Sequence, residues 1–204
     1  MLGLDHLEAL LRPYGVELDR RAMLQLQVYL ELLMRWNAKM NLTAIRNEDE
    51  MVTRHFGESL FLARHVDFRG RLLDIGSGAG FPGLALKLAV PDLAVVLLEP
   101  IAKRRAFLKE VTRACGFSGV TVLADRLEAF CGKPERFETI TARAVGRLEN
   151  LVTVAGPMLS ESGRLCLWVS HSQADTLRSA AMHWEQEIPI PLSRARVILV
   201  GSRL

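Results

Sequence analysis

Through residues 1–67 the apolar positions recur at helical intervals. Leu7, Leu10 and Leu11 form a short stripe that stops at Pro13. Met23, Leu26, Leu30, Leu33 and Met34 form a longer stripe after Asp19, which predicts a second amphipathic helix. Asn47, with Glu50 three residues later, has the form of a capping box and predicts a helix through Met51, His55, Phe56, Leu60 and Ala63. The polar and aromatic connector at 36–46 reads first as a loop whose Asn side chains bond backbone. Its second reading is a lip over a site.

From Arg71 onward the pattern alternates between short apolar runs and helical stretches. Leu72, Leu73 and Ile75 make the first strand, and runs beginning at Leu93, Val120, Thr139 and Leu165 make four more. Helices are expected at 84–89, at 103–115 with Gly116 ending it, at 148–159 with Gly163 as a stop, and at 174–183. A terminal hairpin over 187–190 and 196–200 would close the sheet. The alternation predicts an α/β fold, a doubly wound and mostly parallel seven-stranded sheet with helices on both faces. Residues 1–67 would be an N-terminal helical extension on the main domain, residues 68–204.

Composition narrows the setting. The 204 residues are 50% hydrophobic and 24% charged, which suits a packed globule. No apolar run reaches the length of a membrane span, and the N-terminus lacks the form of a signal peptide. Cys115, Cys131 and Cys166 are odd in number and scattered, which argues against a metal site or disulfide frame and for a reducing cytoplasm. The net charge of +3 permits a polyanionic partner without requiring one.

The chemistry gathers at the end of the first strand. Asp74, Gly76, Gly78 and Gly80 alternate, and the next strand ends in a second acid, Glu99. A glycine backbone can turn sharply and lie against a ligand, and an acid at the neighbouring strand tip can accept from two ribose hydroxyls. The dinucleotide fingerprint G-x-G-x-x-G would need glycine where Phe81 stands, and no P-loop occurs. Acid, three glycines, helix and distant acid together fit S-adenosylmethionine (SAM). Ligands in such sheets lie beyond the carboxyl ends of the strands, where strand order reverses. That rule gathers Asp74, Gly76, Ser77, Gly78, Glu99, the 125–128 turn and Arg143 at one crevice, with Leu127 offering the adenine a backbone N–H and an apolar contact.

The methyl acceptor is constrained by absences. After the fourth strand the chain reads Thr141-Ala142-Arg143-Ala144-Val145, where an amino-group methyltransferase usually carries an [ND]-P-P-[YF] stretch. Carbon methylation of pyrimidines needs a cysteine nucleophile, and no cysteine here has a suitable setting. A ring nitrogen such as guanine N7 already presents its lone pair, so positioning suffices. Arg143 and Arg147 stand at the cleft mouth, where guanidinium groups could hold phosphate or carboxylate. The basic helix face with Lys103 and Arg104 reads mostly as a solvated face, and His55 as a packed helix-face histidine.

Several motifs recur in order: Trp36-Asn37-x-x-x-Asn41-Leu42-Thr43, Arg54-His55-x-x-x-Ser59-Leu60, the run from Leu73 to Gly83, Lys103-Arg104-x-x-Phe107-Leu108, Arg126-Leu127-Glu128 and Ala142-Arg143-Ala144. Over about 36–163 the chain resembles the RsmG family, also called glucose-inhibited division protein B, bacterial guanine-N7 methyltransferases of small-subunit ribosomal RNA. The resemblance implies a Rossmann-like SAM-dependent methyltransferase with N-terminal helices, acting on a guanine in the decoding-region loop of 16S ribosomal RNA. It implies contacts to SAM from Gly76, Phe81, Leu127, Glu128 and Arg143, and to its ribose from Glu99. Arg54, Lys103, Arg104 and Arg147 are candidates to meet RNA, presented by the small ribosomal subunit or its precursor. A cytoplasmic monomer without metal is expected. Two alternatives share the fold: a ribosome-assembly binding protein without catalysis, and a small-molecule methyltransferase. Two departures stand out. Glu58 occupies a position where the family has Asp, and Trp168-Val169-Ser170-His171 replaces the family's Lys-Gly after the fifth strand.

Overall fold

The computed structural model describes residues 2–132 and 134–204. The chain opens with α1 (Leu4–Leu11), α2 (Arg20–Met40), α3 (Glu48–Met51), a π-helical stretch at Val52–Gly57, and α4 (Glu58–Leu60). Then come β1 (Arg71–Ile75), α5 (Gly83–Leu86), β2 (Ala94–Leu98), α6 (Ala102–Ala114), β3 (Val120–Leu123), α7 (Leu127–Phe130) and β4 (Phe137–Arg143). The remainder is α8 (Leu148–Ala155), β5 (Leu159–Ser170), α9 (His171–Leu177), β6 (His183–Pro189) and β7 (Arg196–Ser202).

The seven strands lie in the order β3-β2-β1-β4-β5-β7-β6, with β7 antiparallel to both its neighbours and the other pairs parallel. Strand order reverses between β1 and β4, so the switch point opens over Ile75 and Arg143.

Both faces of the central sheet are buried, which is why β1, β2 and β7 read as largely apolar runs, whereas the edge strands β3 and β6 are partly exposed. Successive side chains go to opposite faces. Leu72, Val95, Leu97, Cys166, Trp168 and Ile198 face one core, while Leu73, Val96, Leu98, Leu167, Val169 and Leu199 face the other. The first core is covered by the N-terminal helices: Leu26, Tyr29, Leu33 and Phe56 are buried with Phe107 and Leu108 of α6. The second is covered by α8 and α9 through Leu151, Val152, Ala174 and Leu177.

Local signals explain most boundaries. Asp19 caps α2 by accepting from Ala22 N at 2.7 Å, and Asn47 caps α3 by accepting from Glu50 N at 2.9 Å. Glu50 does not complete the expected box; its carboxylate pairs with Arg54 at 2.7 Å.

Other boundaries differ from expectation. Helix α2 runs on to Met40, so Trp36 and Asn37 lie in the helix rather than in a connector. Trp36 Nε1 donates to Glu110 of α6 at 2.8 Å, a tertiary contact that outweighs the polar local sequence. Asn37 does bond backbone, donating to Ile45 O at 3.0 Å and accepting from Thr43 N at 2.9 Å.

Helix α5 is only four residues long, because the following amides bond carbonyls three residues back and tighten the turn. Helix α8 ends at Ala155 instead of running to 159, since Pro157 has no N–H to continue it. Strand β5 then starts at Leu159 and bulges before Arg164. Gly163 is not a helix stop: a Cβ there would lie 2.8 Å from Phe137 O, so the bulge requires glycine. The last helix begins at His171 rather than 174, capped by Ser170, and His183 belongs to β6.

The helical cover grips the glycine-rich turn directly. Tyr29 of α2 is fully buried and donates its hydroxyl to Ala79 O at 2.6 Å. Gly80 beside it has φ +89°, and a Cβ there would lie 2.1 Å from that hydroxyl. Tyr29→Phe leaves the Ala79 carbonyl buried without its donor. It is expected to lower the unfolding free energy by about 1–2 kcal/mol in urea titration, at unchanged m value. An unchanged midpoint would show that the clasp adds nothing.

Candidate active site

Strand β1 ends in a turn whose backbone is held from below. Gly76 N and Ser77 N both donate to Leu98 O of β2, at 2.9 and 3.1 Å. Glu99, one residue past β2 and 1% exposed, accepts from Gly78 N and Ile101 N, each at 2.8 Å. Arg104 of α6 stands 3.8 Å from the same carboxylate. A carboxylate held by two amides and flanked by a guanidinium is fixed in orientation, with lone pairs left for another donor. Gly78, at φ +56°, would direct a Cβ into open space with only Gly76 O at 3.8 Å, so a larger side chain there enters the crevice.

Asp74 sits behind this turn rather than in the crevice. It is fully buried, and Thr141 Oγ1 of β4 donates to it at 2.7 Å, joining β1 to β4 at the switch point. Burial pushes its carboxyl up to about 6, against the hydrogen bond from Thr141.

Two lobes meet at Gly76. One, of about 190 Å³, is lined by Ile75, Gly76, Leu98, Asp125, Leu127 and Glu128, together with Val145, Gly146, Arg147, Asn150 and Leu151. The other, of about 240 Å³, is lined by Gly76, Ser77, Gly78 and Phe81 of the turn, by Thr43 and His55 of the N-terminal region, and by Arg104 and Arg143. Arg147 borders the first lobe at the start of α8. Topology therefore brings Gly76, Ser77, Gly78, Phe81, Leu127, Glu128, Arg143, Arg104 and Arg147 around one crevice, with Glu99 under its floor. Lys103 and Arg54 do not line it. Arg54 is paired with Glu50.

Thr43 lies in the 36–46 connector, whose second reading is a lip over a site, and His55 reads from sequence as a packed helix-face histidine; both line the second lobe. The His55 ring stacks on Phe81 at 4.8 Å and 17°, and its Nε2 lies 2.8 Å from Thr43 Oγ1. The connector after α2 thus bonds its own backbone and also walls the second lobe. Burial, then the charges of Arg143 and Arg54, lowers His55 to about 3, so the imidazole is neutral throughout the physiological range. The thiols of Cys115 and Cys166 are pushed up to about 12 by burial, which leaves them inert. Cys131 is exposed, and its Sγ donates to Glu128 O at 3.1 Å.

Arg143, the last residue of β4, is held by the N-terminal helices. Its Nη2 donates to Arg54 O at 2.7 Å and to Glu58 Oε2 at 3.0 Å. Glu58 is 1% exposed; its Oε1 pairs with Arg196 of β7 at 2.5 Å, and its backbone carbonyl accepts from Trp168 Nε1 at 3.0 Å. The departing Trp168–His171 segment is structural here: Ser170 forms a capping box with Gln173, and His171 pairs with Glu187 at 3.0 Å. Among the described residues no group of three or more His, Cys, Asp or Glu side chains could hold a metal, and no helix is long and apolar enough to cross a membrane.

A doubly wound sheet with its crevice at the β1/β4 switch point, roofed by helices, is the fold of the Rossmann-like methyltransferases. Two solved structures share it. Ribosomal protein L11 methylase from Lactobacillus delbrueckii subsp. bulgaricus has a TM-score of 0.62 at 15% identity, over 74% of this chain and 79% of that one. The glycopeptide N-methyltransferase MtfA, solved with SAM, has a TM-score of 0.63 at 12% identity, over 74% and 87%.

Sequence similarity is narrower. Residues 22–194 match the family described as GidB, rRNA small subunit methyltransferase G. The chain is 42% identical over 193 residues to the ribosomal RNA small subunit methyltransferase G of Xylella fastidiosa (strain 9a5c), covering 93% of this chain and 89% of that one. It is 40% identical over 176 residues to that of Chloroflexus aggregans, covering 83% and 74%. The chain belongs to the rRNA small subunit methyltransferase G family.

His55 also sets a pH dependence. Its folded value of about 3 lies below the free value of 6.5, so its contribution to stability is complete above about pH 6.5 and is lost as pH falls towards 3. Asp74 works the other way: its value of about 6 lies above 3.8, so its ionisation removes stability as pH rises through that window. His55→Asn is therefore expected to flatten the acid arm of stability against pH by up to about 1.4 kcal/mol per pH unit, read by urea titrations from about pH 7 to pH 4. Parallel curves for the two proteins would show that the imidazole is not held neutral.

Proposed function

We propose that this chain transfers the methyl group of SAM to N7 of a guanine in the decoding-region loop of 16S ribosomal RNA. It does so as a cytoplasmic monomer acting on the small ribosomal subunit or its precursor. One observation carries the reading: the glycine turn, with Glu99 buried beneath it and Arg143 beside it, forms a crevice for a cofactor. Among the described residues, the lobe around that turn is lined by no carboxylate or thiol and by a histidine too weakly basic to take a proton. Family membership supplies the substrate class, since its members carry the name ribosomal RNA small subunit methyltransferase G.

The residues divide the work as follows. Glu99 accepts from the ribose hydroxyls with the lone pairs that Gly78 N and Ile101 N leave free. Leu127 and Glu128 line the lobe for the adenine, and Gly76, Ser77, Gly78 and Phe81 line the lobe for the methionine part. Arg143 faces that amino acid's carboxylate. When bound, SAM supplies an electrophilic methyl on a sulfonium. With SAM held there, an acceptor such as N7 would take the methyl through its in-plane lone pair, and the C–S electron pair would pass to sulfur, giving a neutral thioether and a cationic guanine. No proton has to leave N7. His55, at about 3, is far too weak a base to be asked for one, and an acceptor with an in-plane lone pair asks only for alignment.

N7 lies in the deep, narrow groove of A-form RNA, so the target must be an irregular loop presented to the crevice. Arg104 and Arg147 at the crevice, and Arg54 and Lys103 near it, supply the charge that meets the phosphates. The helices of residues 1–67 serve as an extension seated on the main domain at 68–204, contributing Thr43 and His55 to the crevice wall.

Gly78→Arg is expected to abolish binding of S-adenosylhomocysteine, because its side chain projects into the crevice. Glu99→Ala is expected to weaken that binding by about 10- to 100-fold, having lost charged hydrogen bonds to ribose and turn alike. Calorimetry measures both. Mapping of 7-methylguanine in ribosomal RNA, from cells with and without the chain, tests the acceptor. Label from SAM that appears only in protein or small-molecule fractions would refute it.

A further inference from the structure

Glu58 divides its two carboxylate oxygens between two arginines, one at the end of β4 and one at the start of β7. Oε2 takes Arg143 Nη2 at 3.0 Å, and Oε1 takes Arg196 Nη2 at 2.5 Å. The carboxylate is 1% exposed. An arginine and a buried carboxylate normally close into a fork of two parallel N–H···O bonds. Arg143 does not close that fork: its Nη2 serves both Glu58 and Arg54 O, while its Nη1 is buried with no partner among the described residues. Arg54 and Arg196 also leave a buried Nε without a partner, but of the three only Arg143 lines the crevice. Arg196 itself does not line the crevice; it stands at the first position of β7, paired in register with Ser170 of β5.

We propose that Arg196 is a positioning residue for Arg143: by drawing Oε1 of Glu58 towards itself it holds the carboxylate out of the planar fork, and so leaves Arg143 Nη1 to a carboxylate ligand in the crevice. The inference rests on the reading above in which Arg143 meets the amino-acid carboxylate of the cofactor. It adds that the availability of that donor is set by competition for one buried acid. The longer side chain of Glu58 reaches both guanidinium groups from α4, and Arg54 O from the π-helical stretch just before it holds Nη2 in place. Without Arg196, Oε1 loses the donor the structure gives it, and Nη1 is the unpartnered N–H on the guanidinium already bound to the other oxygen.

The test compares two ligands by calorimetry. S-adenosylhomocysteine carries the carboxylate; 5′-methylthioadenosine keeps the adenosine and thioether and lacks the amino acid. The wild-type chain is expected to prefer the first, and Arg143→Met to erase the preference. A wild-type chain that binds neither ligand sinks the cofactor reading. An unchanged preference in Arg143→Met sinks the role given to Arg143.

Arg196→Met is expected to weaken S-adenosylhomocysteine by about tenfold and leave 5′-methylthioadenosine within about twofold. Arg196→Lys, whose ammonium can still take Oε1, should keep the wild-type ratio. Equal weakening of both ligands, or a ratio unchanged in Arg196→Met, overturns the proposal. A second variant covers the case in which Arg196→Met fails to fold because Glu58 is left half-paired. In Glu58→Gln combined with Arg196→Met, the amide accepts Nη2 through its oxygen, and its NH₂ cannot accept Nη1. The fork is then impossible, and the preference for S-adenosylhomocysteine is expected to return. A preference absent from that double variant also overturns the proposal.

Discussion

The Glu99 carboxylate is the constraint around which the crevice is built. It sits at the tip of β2, 1% exposed, and its two oxygens fix Gly78 N of one turn and Ile101 N of the next. A buried charge is tolerated only when donors surround it, and here the donors are the amides that shape the floor of the site. Rigidity is supplied from the side as well, where Tyr29 holds Ala79 O and stacks on Phe81 at 5.4 Å, itself stacked on His55. The turn is therefore set before any ligand arrives, which is what catalysis by alignment requires.

How much of this was legible in the sequence depends on the range of the forces involved. The strand, glycine turn and distant acid could be placed from residues 71–100 because each signal is local: apolar runs, positive φ, an acid at a strand end. The parallel order followed from the alternation. Some boundaries failed where a local signal was passed over, as with Pro157 cutting α8 short. Others failed where a contact far along the chain prevailed, as with Trp36 carrying α2 onward to meet Glu110. The bulge at Gly163 looks like a helix stop in one dimension and is a close approach of backbone to Phe137 O in three.

The candidate site was legible to a similar degree. Gly76, Phe81, Leu127, Glu128 and Arg143 converge because topology carries strand tips to one place. His55 reaches the same crevice through helix packing, which no spacing rule announces, and Thr43 through the connector after α2. Asp74, marked by the same glycine pattern, turns inward to Thr141 instead. The pairing of Glu58 with Arg196 spans 138 residues and had no sequence signal at all. Such buried ion pairs add little net stability, since desolvation offsets attraction; their effect is to fix geometry.

One core mixes residues made early with residues made late. Leu26, Leu33 and Phe56 emerge from synthesis well before Leu72, Phe107, Trp168 and Ile198, which complete their surroundings. During translation the first helices must therefore wait with their apolar faces uncovered, and the face is sealed only when α6 and then β5 and β7 arrive. Domains tend to fold as units once their parts are present, and exposed apolar helix faces attract chaperones or one another in the interval. The arrangement that lets the N-terminal helices roof the crevice thus also makes the newborn chain dependent on its last strands.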